Sequence, residues 1–225
     1  MVNKNTKKEY IFLGAPASGK GTQTNILAEE LKLPHIDTGS LLRAAIKAQT
    51  PEGILAQGFI DKGQLVPIDV VARIIKNRLM QEDAKNGFIL DGYPRSLEQA
   101  DKLKEMLEEI DTGIDAEFAA IYFDIDESIL LDRIVNRWSC PNCGAIFNTK
   151  FKPSKKGDVC DLCDTKLAHR KDDTEEVAKA RFETFYRETA PLMEYYEKMG
   201  TLRRLDATGS IDEIYGKLKK LLNYD

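Results

Sequence analysis

Nine consecutive residues near the amino terminus, Gly14-Ala15-Pro16-Ala17-Ser18-Gly19-Lys20-Gly21-Thr22, have the types and spacing of a phosphate-binding loop. Glycines let backbone N–H groups turn inward around phosphate oxygens, a following helix adds positive potential at its N-terminus, and Lys20 supplies a mobile cation. The fit to G-x-x-x-x-G-K-[ST] departs at one place. Gly21 stands where a hydroxyl residue should follow the lysine, and the hydroxyl comes one residue later, at Thr22. A second chemical group is Asp91-Gly92-Tyr93-Pro94-Arg95, which ends an apolar run in an acid, a flexible turn and an arginine. At the carboxyl end of a parallel strand, Asp91 is placed to hold Mg²⁺ through water and Arg95 to grip a phosphate by its planar fork. Taken alone, that segment reads equally well as a turn with a surface salt bridge.

The third group is metal-like. All four cysteines fall in two C-x-x-C pairs, Cys140/Cys143 and Cys160/Cys163, separated by 16 residues. Two such hairpins provide four thiolates for tetrahedral zinc, with no position left open for water, so the site reads as structural. A redox C-x-x-C would need one pair only. The clustering is a poor layout for a secreted disulfide framework and points to a reducing compartment. Trp138, Phe147 and Phe151 are expected to pack beside this knuckle. His169, outside the pattern, reads as a hinge residue and not a ligand.

These groups need elements to position them. Short β-branched or aromatic runs at Tyr10 to Gly14, His35 to Thr38, Phe88 to Asp91, Ala119 to Ile125 and Leu202 to Asp206 alternate with helical patterns at Gly19 to Leu31, Ile68 to Met80 and Leu97 to Glu109. Alternation of this kind predicts an α/β fold with a parallel sheet and helices on both faces. A long helix is expected after Asp173, where Asp173 and Glu176 have capping-box spacing, with Pro191 kinking or dividing it. Arg133 and Arg137 are spaced i,i+4 on one expected helix. Two stretches interrupt the alternation and read as insertions: Thr38 to Val66, helical with no strand, and Asn136 to Asp173, with both cysteine pairs and short strand-like pieces such as Ala145 to Asn148.

Composition narrows the function. Thirty-three Lys+Arg against 37 Asp+Glu leave a net charge of −4, which argues against nucleic acid as a partner, so any anion site must be built locally. No stretch reaches the roughly 20 apolar residues of a membrane span, and the polar, lysine-rich start lacks a signal-peptide core. The expectation is a cytoplasmic protein, a monomer, with no membrane partner.

With Gly14 to Gln23, Asp37 to Arg43, Asp91 to Arg95 and Arg170-Lys171-Asp172-Asp173 in order, the sequence resembles the long-lid adenylate kinases of the nucleoside monophosphate kinase family. The resemblance spans about Tyr10 to Leu221. It implies a P-loop core with a five-stranded parallel sheet flanked by helices (residues 1–37, 67–135 and 174–225), an inserted helical AMP-binding subdomain (38–66) and a small zinc-bound lid (136–173). It implies ATP and AMP as partners, and Mg²⁺ accompanying ATP. Matched position by position, Gly14 to Thr22 would wrap the ATP phosphates, with Arg133 and Gly209 at the ATP base. Arg137 would join the ATP site, and Thr38, Arg43, Gln64, Val66, Gly92, Arg95, Gln99, Arg170 and Arg181 would hold AMP. Lys20, Arg95, Arg137, Arg170 and Arg181 would converge on the transferring phosphoryl group. The chain has 11 arginines, and six of them (Arg43, Arg95, Arg133, Arg137, Arg170 and Arg181) fall on positions the family uses. Two departures stand out. Ala17 replaces a glycine common in relatives, so a positive φ there would strain the loop, and Asp206 to Ser210 matches only loosely, which leaves ATP against GTP as donor open.

An AMP phosphate, with a second pKa of about 6, is already an oxyanion at neutral pH and needs no general base. The two histidines, His35 and His169, form no nucleophile-base pair. Catalysis should rest on alignment and charge stabilisation, in a direct in-line transfer without covalent intermediate. Asp172 and Asp173, at the lid's exit, are expected to help hold a closed form that excludes water. The competing readings are a kinase for UMP or CMP, a zinc-ribbon ATPase that binds nucleic acid, and a nucleotide sensor without turnover.

Overall fold

The computed structural model describes residues 6–110, 116–170 and 173–224. In chain order these form β1 (Lys7–Leu13), α1 (Lys20–Leu31), β2 (His35–Asp37), α2 (Thr38–Lys47), α3 (Pro51–Ile60), α4 (Ile68–Leu79), a 3₁₀ turn (Glu82–Ala84), β3 (Gly87–Asp91) and α5 (Leu97–Glu109). There follow β4 (Ala116–Asp124), α6 (Glu127–Val135), β5 (Arg137–Ser139), β6 (Ile146–Asn148), α7 (Glu175–Thr184), a π-helical turn (Phe185–Thr189), α8 (Pro191–Lys198), β7 (Leu202–Asp206) and α9 (Ile211–Leu221).

Five strands pair in the order β2-β3-β1-β4-β7, all parallel. The fold is therefore α/β, as expected. Successive strand residues point to opposite faces, and the burial follows: Ile11, Leu13, Phe88, Leu90 and Ala120 pack into one apolar layer with α4, α5 and α8. Tyr10, Phe12, Ile89, Ala119, Ile121 and Phe123 pack into the other, with Leu27 of α1 and Ile214 and Leu218 of α9. Each fully buried Ile, Leu or Phe contributes about 1.5–3 kcal/mol, which makes the central strands the most firmly held part of the chain. The chain passes to one side of β1 for β2 and β3 and to the other for β4 and β7. That places the crevice of a topological switch point at the carboxyl end of β1, where the phosphate loop begins.

Several boundaries differ from the sequence reading for identifiable reasons. β1 starts three residues earlier than its apolar run, because Lys7 and Glu9 pair with each other at 2.5 Å and enter the sheet as a buried ion pair, and β4 starts three residues early beside it, Ala116 in register with Lys7. Arg133 and Arg137 do not share a helix: α6 ends at Val135, and Arg137 opens the antiparallel pair β5·β6. Asn136 makes that turn, its Nδ2 donating to Asp132 O at 2.9 Å and to Asp132 Oδ1 at 3.0 Å. The cap of α7 is Thr174, whose Oγ1 accepts from Val177 N, and not Asp173, whose carboxylate is engaged elsewhere. The long helix is divided by the π turn, and Pro191 sits at the first position of α8, where its missing N–H is harmless. α9, opened by a capping box between Ser210 and Glu213, is an element that the strand and helix reading did not include. Among the described residues no helix is long and apolar enough to cross a membrane.

Candidate functional site

One large cavity, about 960 Å³, opens at the carboxyl ends of the strands, and both the phosphate loop and the cysteine-bearing segment line it. The loop between β1 and α1 has a specific backbone. Gly19, at the N-cap of α1, has φ 96°, and Ala17 has φ 63°. Ala17 thus occupies the left-handed region that the expected glycine would adopt freely, a conformation that strains an L-residue by about 1–2 kcal/mol. Lys20 folds back over the loop, its Nζ donating to Gly14 O (2.7 Å), Ala15 O (3.0 Å) and Ser18 Oγ (3.2 Å). Burial pulls its pKa down to about 8; Asp91 works against the shift, and Arg95 and Arg181 add to it.

The absent hydroxyl at position 21 has a steric explanation. A Cβ on Gly21 would sit 3.3 Å from Asp91 Oδ2, so glycine lets the acid at the end of β3 approach the first turn of α1. Asp91 itself is 8% exposed and lies 3.7 Å from His35 Nε2. Gly92, with φ 79°, turns the chain so that Arg95 Nε donates to its carbonyl at 2.8 Å; a Cβ there would meet Arg95 Nη2 at 2.9 Å.

Asp37, paired in register with Asp91 across β2 and β3, caps α2 by accepting from Gly39 N (3.0 Å) and Ser40 N (3.2 Å). Arg43, one turn on, donates to Asp37 Oδ2 at 3.3 Å and to Ser40 Oγ at 3.1 Å. Although burial opposes ionisation of Asp37, Arg43, the Ser40 hydroxyl, His35 and Arg170 together lower its pKa. Arg170, from the cysteine-bearing segment, thereby acts electrostatically on the mouth of β2.

Arg133 Nη1 approaches the loop carbonyls Ser18 O (3.4 Å) and Ala17 O (3.5 Å), with its guanidinium over the Phe151 ring at 5.5 Å. Arg137 makes a two-point contact with the buried carboxylate of Asp173, through Nε to Oδ2 at 2.7 Å and through Nη2 to Oδ1. Arg181 Nη1 reaches the same carboxylate at 3.6 Å. Asp173 is thus the shared acid that brings two of the expected arginines together; Asp172 and Lys171 lie outside the described residues.

Of the residues expected at the site, Gly14, Pro16 to Thr22, Arg43, Asp91, Gly92, Arg95, Arg133, Arg137, Arg170, Arg181 and Gly209 line the cavity. Ala15, Thr38, Val66 and Gln99 are buried and Gln64 is exposed; none of the five contributes to its lining surface. Thr38 Oγ1 is buried with no hydrogen-bond partner, and Gln99 Oε1 accepts from Arg95 N at 2.8 Å. His35, the scaffolding acid Asp37 and Thr189 were not among the expected site residues, and Asp173, expected to help hold a closed form, was not expected as the shared partner of Arg137 and Arg181. For Asp37 the sequence did carry a signal, an acid directly before a Thr-Gly-Ser helix start.

The cysteine segment is built on two matching turns. Cys140 N donates to Ala145 O and Cys160 N to Thr165 O, both at 2.8 Å, while Gly144 N and Asp164 N donate back to Cys140 O and Cys160 O at 3.0 Å. Gly144 and Asp164, each directly after the second cysteine of its pair, share a positive φ (74° and 56°). All four Sγ atoms fall within 4.8 Å of one another, with Cys140–Cys163 at 3.4 Å and Cys143–Cys160 at 3.6 Å. A zinc tetrahedron with metal–sulfur bonds of about 2.3 Å has edges of about 3.8 Å, so the sulfurs stand where such an ion needs them. Hydrogen bonding by Thr165 draws Cys163 down to about 5. The Ala145 amide favours the Cys143 thiolate, yet burial and the neighbouring sulfurs push that thiol up to about 12. Sulfurs this close resist ionising together, and a cation among them would let all four do so. Trp138 and Phe147 pack against this cluster, and His169 stacks on Trp138 with ring centroids 4.0 Å apart. Phe151 does not join it: it is 54% exposed and lies under Arg133.

The family model described as adenylate kinase matches residues 12–201. The chain belongs to the adenylate kinase family. An adenylate kinase of Clostridium botulinum (strain 657 / Type Ba4) is 43% identical over 215 residues, covering 96% of this chain and 98% of that protein. Adenylate kinases of Clostridium kluyveri and Ruminiclostridium cellulolyticum are each 41% identical, over 95% and 94% of this chain and 97% and 98% of their own. The family's reaction, phosphoryl transfer between ATP and AMP, requires a cavity rich in fixed cations, and this one carries Lys20 and six arginines of the expected set.

Proposed function

We propose that this chain catalyses the reversible ATP:AMP phosphotransfer of its family by direct in-line transfer, with the donor along the phosphate loop and the acceptor against α2 and the turn after β3. The observation that carries this reading is the lining of one cavity by Lys20, Arg95, Arg137, Arg170 and Arg181 together, with Gly209 and Arg43 in the same lining. Backbone N–H groups of Gly14 to Thr22, Pro16 excepted, receive the ATP phosphates, and Arg133 and Gly209 flank its base. Arg43 and Arg95 hold the AMP phosphate, while Thr38, Gln64, Val66, Gly92 and Gln99 bound the rest of AMP. Gln99 Oε1 is already taken by the Arg95 amide, so its Nε2 is the group to meet an adenine ring nitrogen.

Asp91 would hold the Mg²⁺ that accompanies ATP, and the ion would supply positive charge to the phosphate oxygens there. Lys20, Arg137, Arg170 and Arg181 surround the oxygens on which charge spreads during transfer, in a site preorganised by the Asp173 and Asp37 carboxylates. No residue acts as a nucleophile or general base. Cys140, Cys143, Cys160 and Cys163 would hold a structural zinc, which would keep residues 136–173 folded as a lid that excludes water from the reacting phosphates. Residues 38–66 form the AMP-binding subdomain. A four-thiolate site fits a reducing compartment, and we read the protein as a cytoplasmic monomer, which light scattering checks by returning the mass of one chain.

The deciding experiment offers purified protein Mg·ATP with AMP, UMP, CMP or GMP, one at a time, against a control without acceptor. ADP formation with AMP alone is the expected result. Turnover with UMP or CMP would move the acceptor assignment, and phosphate release that AMP does not raise would sink the kinase reading in favour of an ATPase.

A further inference from the structure

The helix that leaves the lid is interrupted where it passes the cavity. α7 carries Arg181 and Thr184 to the lining, the backbone then widens into the π turn Phe185–Thr189, and Ala190 N closes that turn on Phe185 O at 2.8 Å. A π turn holds one residue more than an α turn, so whatever follows is set back by about 100° around the axis. In an unbroken α-helix the position seven after Arg181 and four after Thr184 is Glu188, which would share their face. With the extra residue that place falls to Thr189, which lines the cavity, while Glu188 is paired with Arg187 at 2.8 Å.

Thr189 is buried, and its Oγ1 donates to Arg95 O at 2.7 Å. On the other side of the same residue, Arg95 N donates to Gln99 Oε1 at 2.8 Å, and the Arg95 side chain is turned back by Nε to Gly92 O at 2.8 Å. The two peptide units flanking Arg95 are therefore tied to two different helices. The tie to α5 is local in sequence; the tie to Thr189 spans 94 residues and exists through the π turn.

We propose that Thr189 is a positioning residue for Arg95. The π turn brings a neutral hydroxyl, in place of the Glu188 carboxylate, to the backbone of an arginine that grips the AMP phosphate. A carboxylate there would repel the incoming phosphate and compete for the guanidinium; a hydroxyl fixes the arginine and adds no charge. The proposal rests on the reading of Arg95 as an AMP ligand, so its test carries Arg95→Ala alongside.

Thr189→Val removes the hydroxyl at nearly constant volume, and Thr189→Ser keeps it; KM for AMP and for ATP, kcat and the calorimetric Kd for AMP are measured for each. Losing one buried hydrogen bond to a positioned group should raise KM and Kd for AMP about tenfold in Thr189→Val, leave KM for ATP within about twofold, and be rescued by Thr189→Ser. Should Thr189→Val not fold, Thr189→Ala carries the same comparison. Unchanged AMP affinity in the hydroxyl-free variant, with AMP binding lost in Arg95→Ala, overturns the positioning role alone. So does an equal rise in both KM values that Thr189→Ser fails to rescue, since a merely structural residue behaves that way. AMP affinity unchanged in Arg95→Ala overturns the assignment of Arg95 and this proposal with it.

Discussion

The phosphate loop hangs from β1, whose residues Ile11, Phe12 and Leu13 are at most 2% exposed and sandwiched between two helical layers. Across the cavity, the segment from Arg137 to Arg170 has as its buried apolar cluster only Cys140, Phe147, Cys160 and Leu167. The two regions face the same ligand space, with Ile146 Cδ1 3.9 Å from where a Cβ of Gly21 would lie. One is enclosed by apolar layers on both faces; the other has a small apolar cluster gathered around four neighbouring sulfurs. A rigid half can keep backbone donors fixed on phosphate, while a small half with its own staple can move as a body without unfolding.

The largest test of that contrast is metal removal. Structural zinc of this kind contributes about 10–16 kcal/mol to the folding of the unit that binds it. A strong chelator, or Cys160→Ser, is expected to abolish phosphotransfer and unfold the lid while the sheet remains. Trp138 is the only tryptophan and packs against the cysteine cluster, so its fluorescence reports that segment and far-UV circular dichroism the core. Metal analysis should give one zinc per chain, and unchanged Trp138 emission after its removal would dispose of the staple.

Lys20→Met tests the rigid half. Removing one preorganised charge from the reacting phosphates should lower kcat by about a thousandfold, with thermal stability near that of the wild type. A tenfold fall or less would mean that the backbone donors suffice. At the seam between the halves, Asp173→Asn leaves the Arg137 and Arg181 guanidiniums without their common counter-charge. Breaking a buried pair costs about 3–5 kcal/mol, so kcat should drop about a hundredfold, with the nucleotide-dependent change in Trp138 emission weakened. Full activity in that variant would assign lid closure to other contacts.

Smaller effects follow from the loop itself. Burial pulls Lys20 down to about 8, so in the free enzyme its charge is lost as pH rises through that value. kcat/KM for ATP should fall above pH 8, approaching about tenfold per unit, while an unperturbed lysine would hold the plateau to above pH 10. In the window between about 8 and 10.4 the unfolded chain binds the proton and the folded one does not, so this group makes stability rise with pH there, and Lys20→Met should remove that slope. Last, Ala17→Gly relieves the left-handed strain at φ 63° but adds freedom to the unfolded chain; a net gain of about 0.5–1 kcal/mol is expected by denaturant unfolding.

Where chemistry needs a local run of residues, the sequence was legible. The phosphate loop, the turn at Asp91 to Arg95 and each C-x-x-C pair place their groups within nine residues or fewer, and the local geometry follows from turns and caps. β7 and α5 were bounded correctly, as was the start of α4, because apolar period and helix signals agree there. Arg137 shows the opposite case. Its i,i+4 spacing from Arg133 suggests a helix face, but the chain turns at Asn136, held by Asp132 four residues back and by Asn148, Thr149 and Lys150, which reach residues 132–136 across 13 to 18 residues. No local pattern records such a partner.

The sequence by itself determined which residues are charged, which can turn, where the sulfurs pair and that a parallel sheet would carry them, since these depend on residue type and spacing along a few turns of chain. Tertiary structure alone decided which acid each arginine meets: Asp37 for Arg43, Asp173 for Arg137 and Arg181. It also decided that Gly21 is small because Asp91 arrives from another strand, and that Thr189 and not Glu188 meets Arg95. Those pairings are set by sheet order and helix rotation, which sum weak preferences over the whole chain, and a carboxylate or hydroxyl carries no local mark of the distant group it will satisfy.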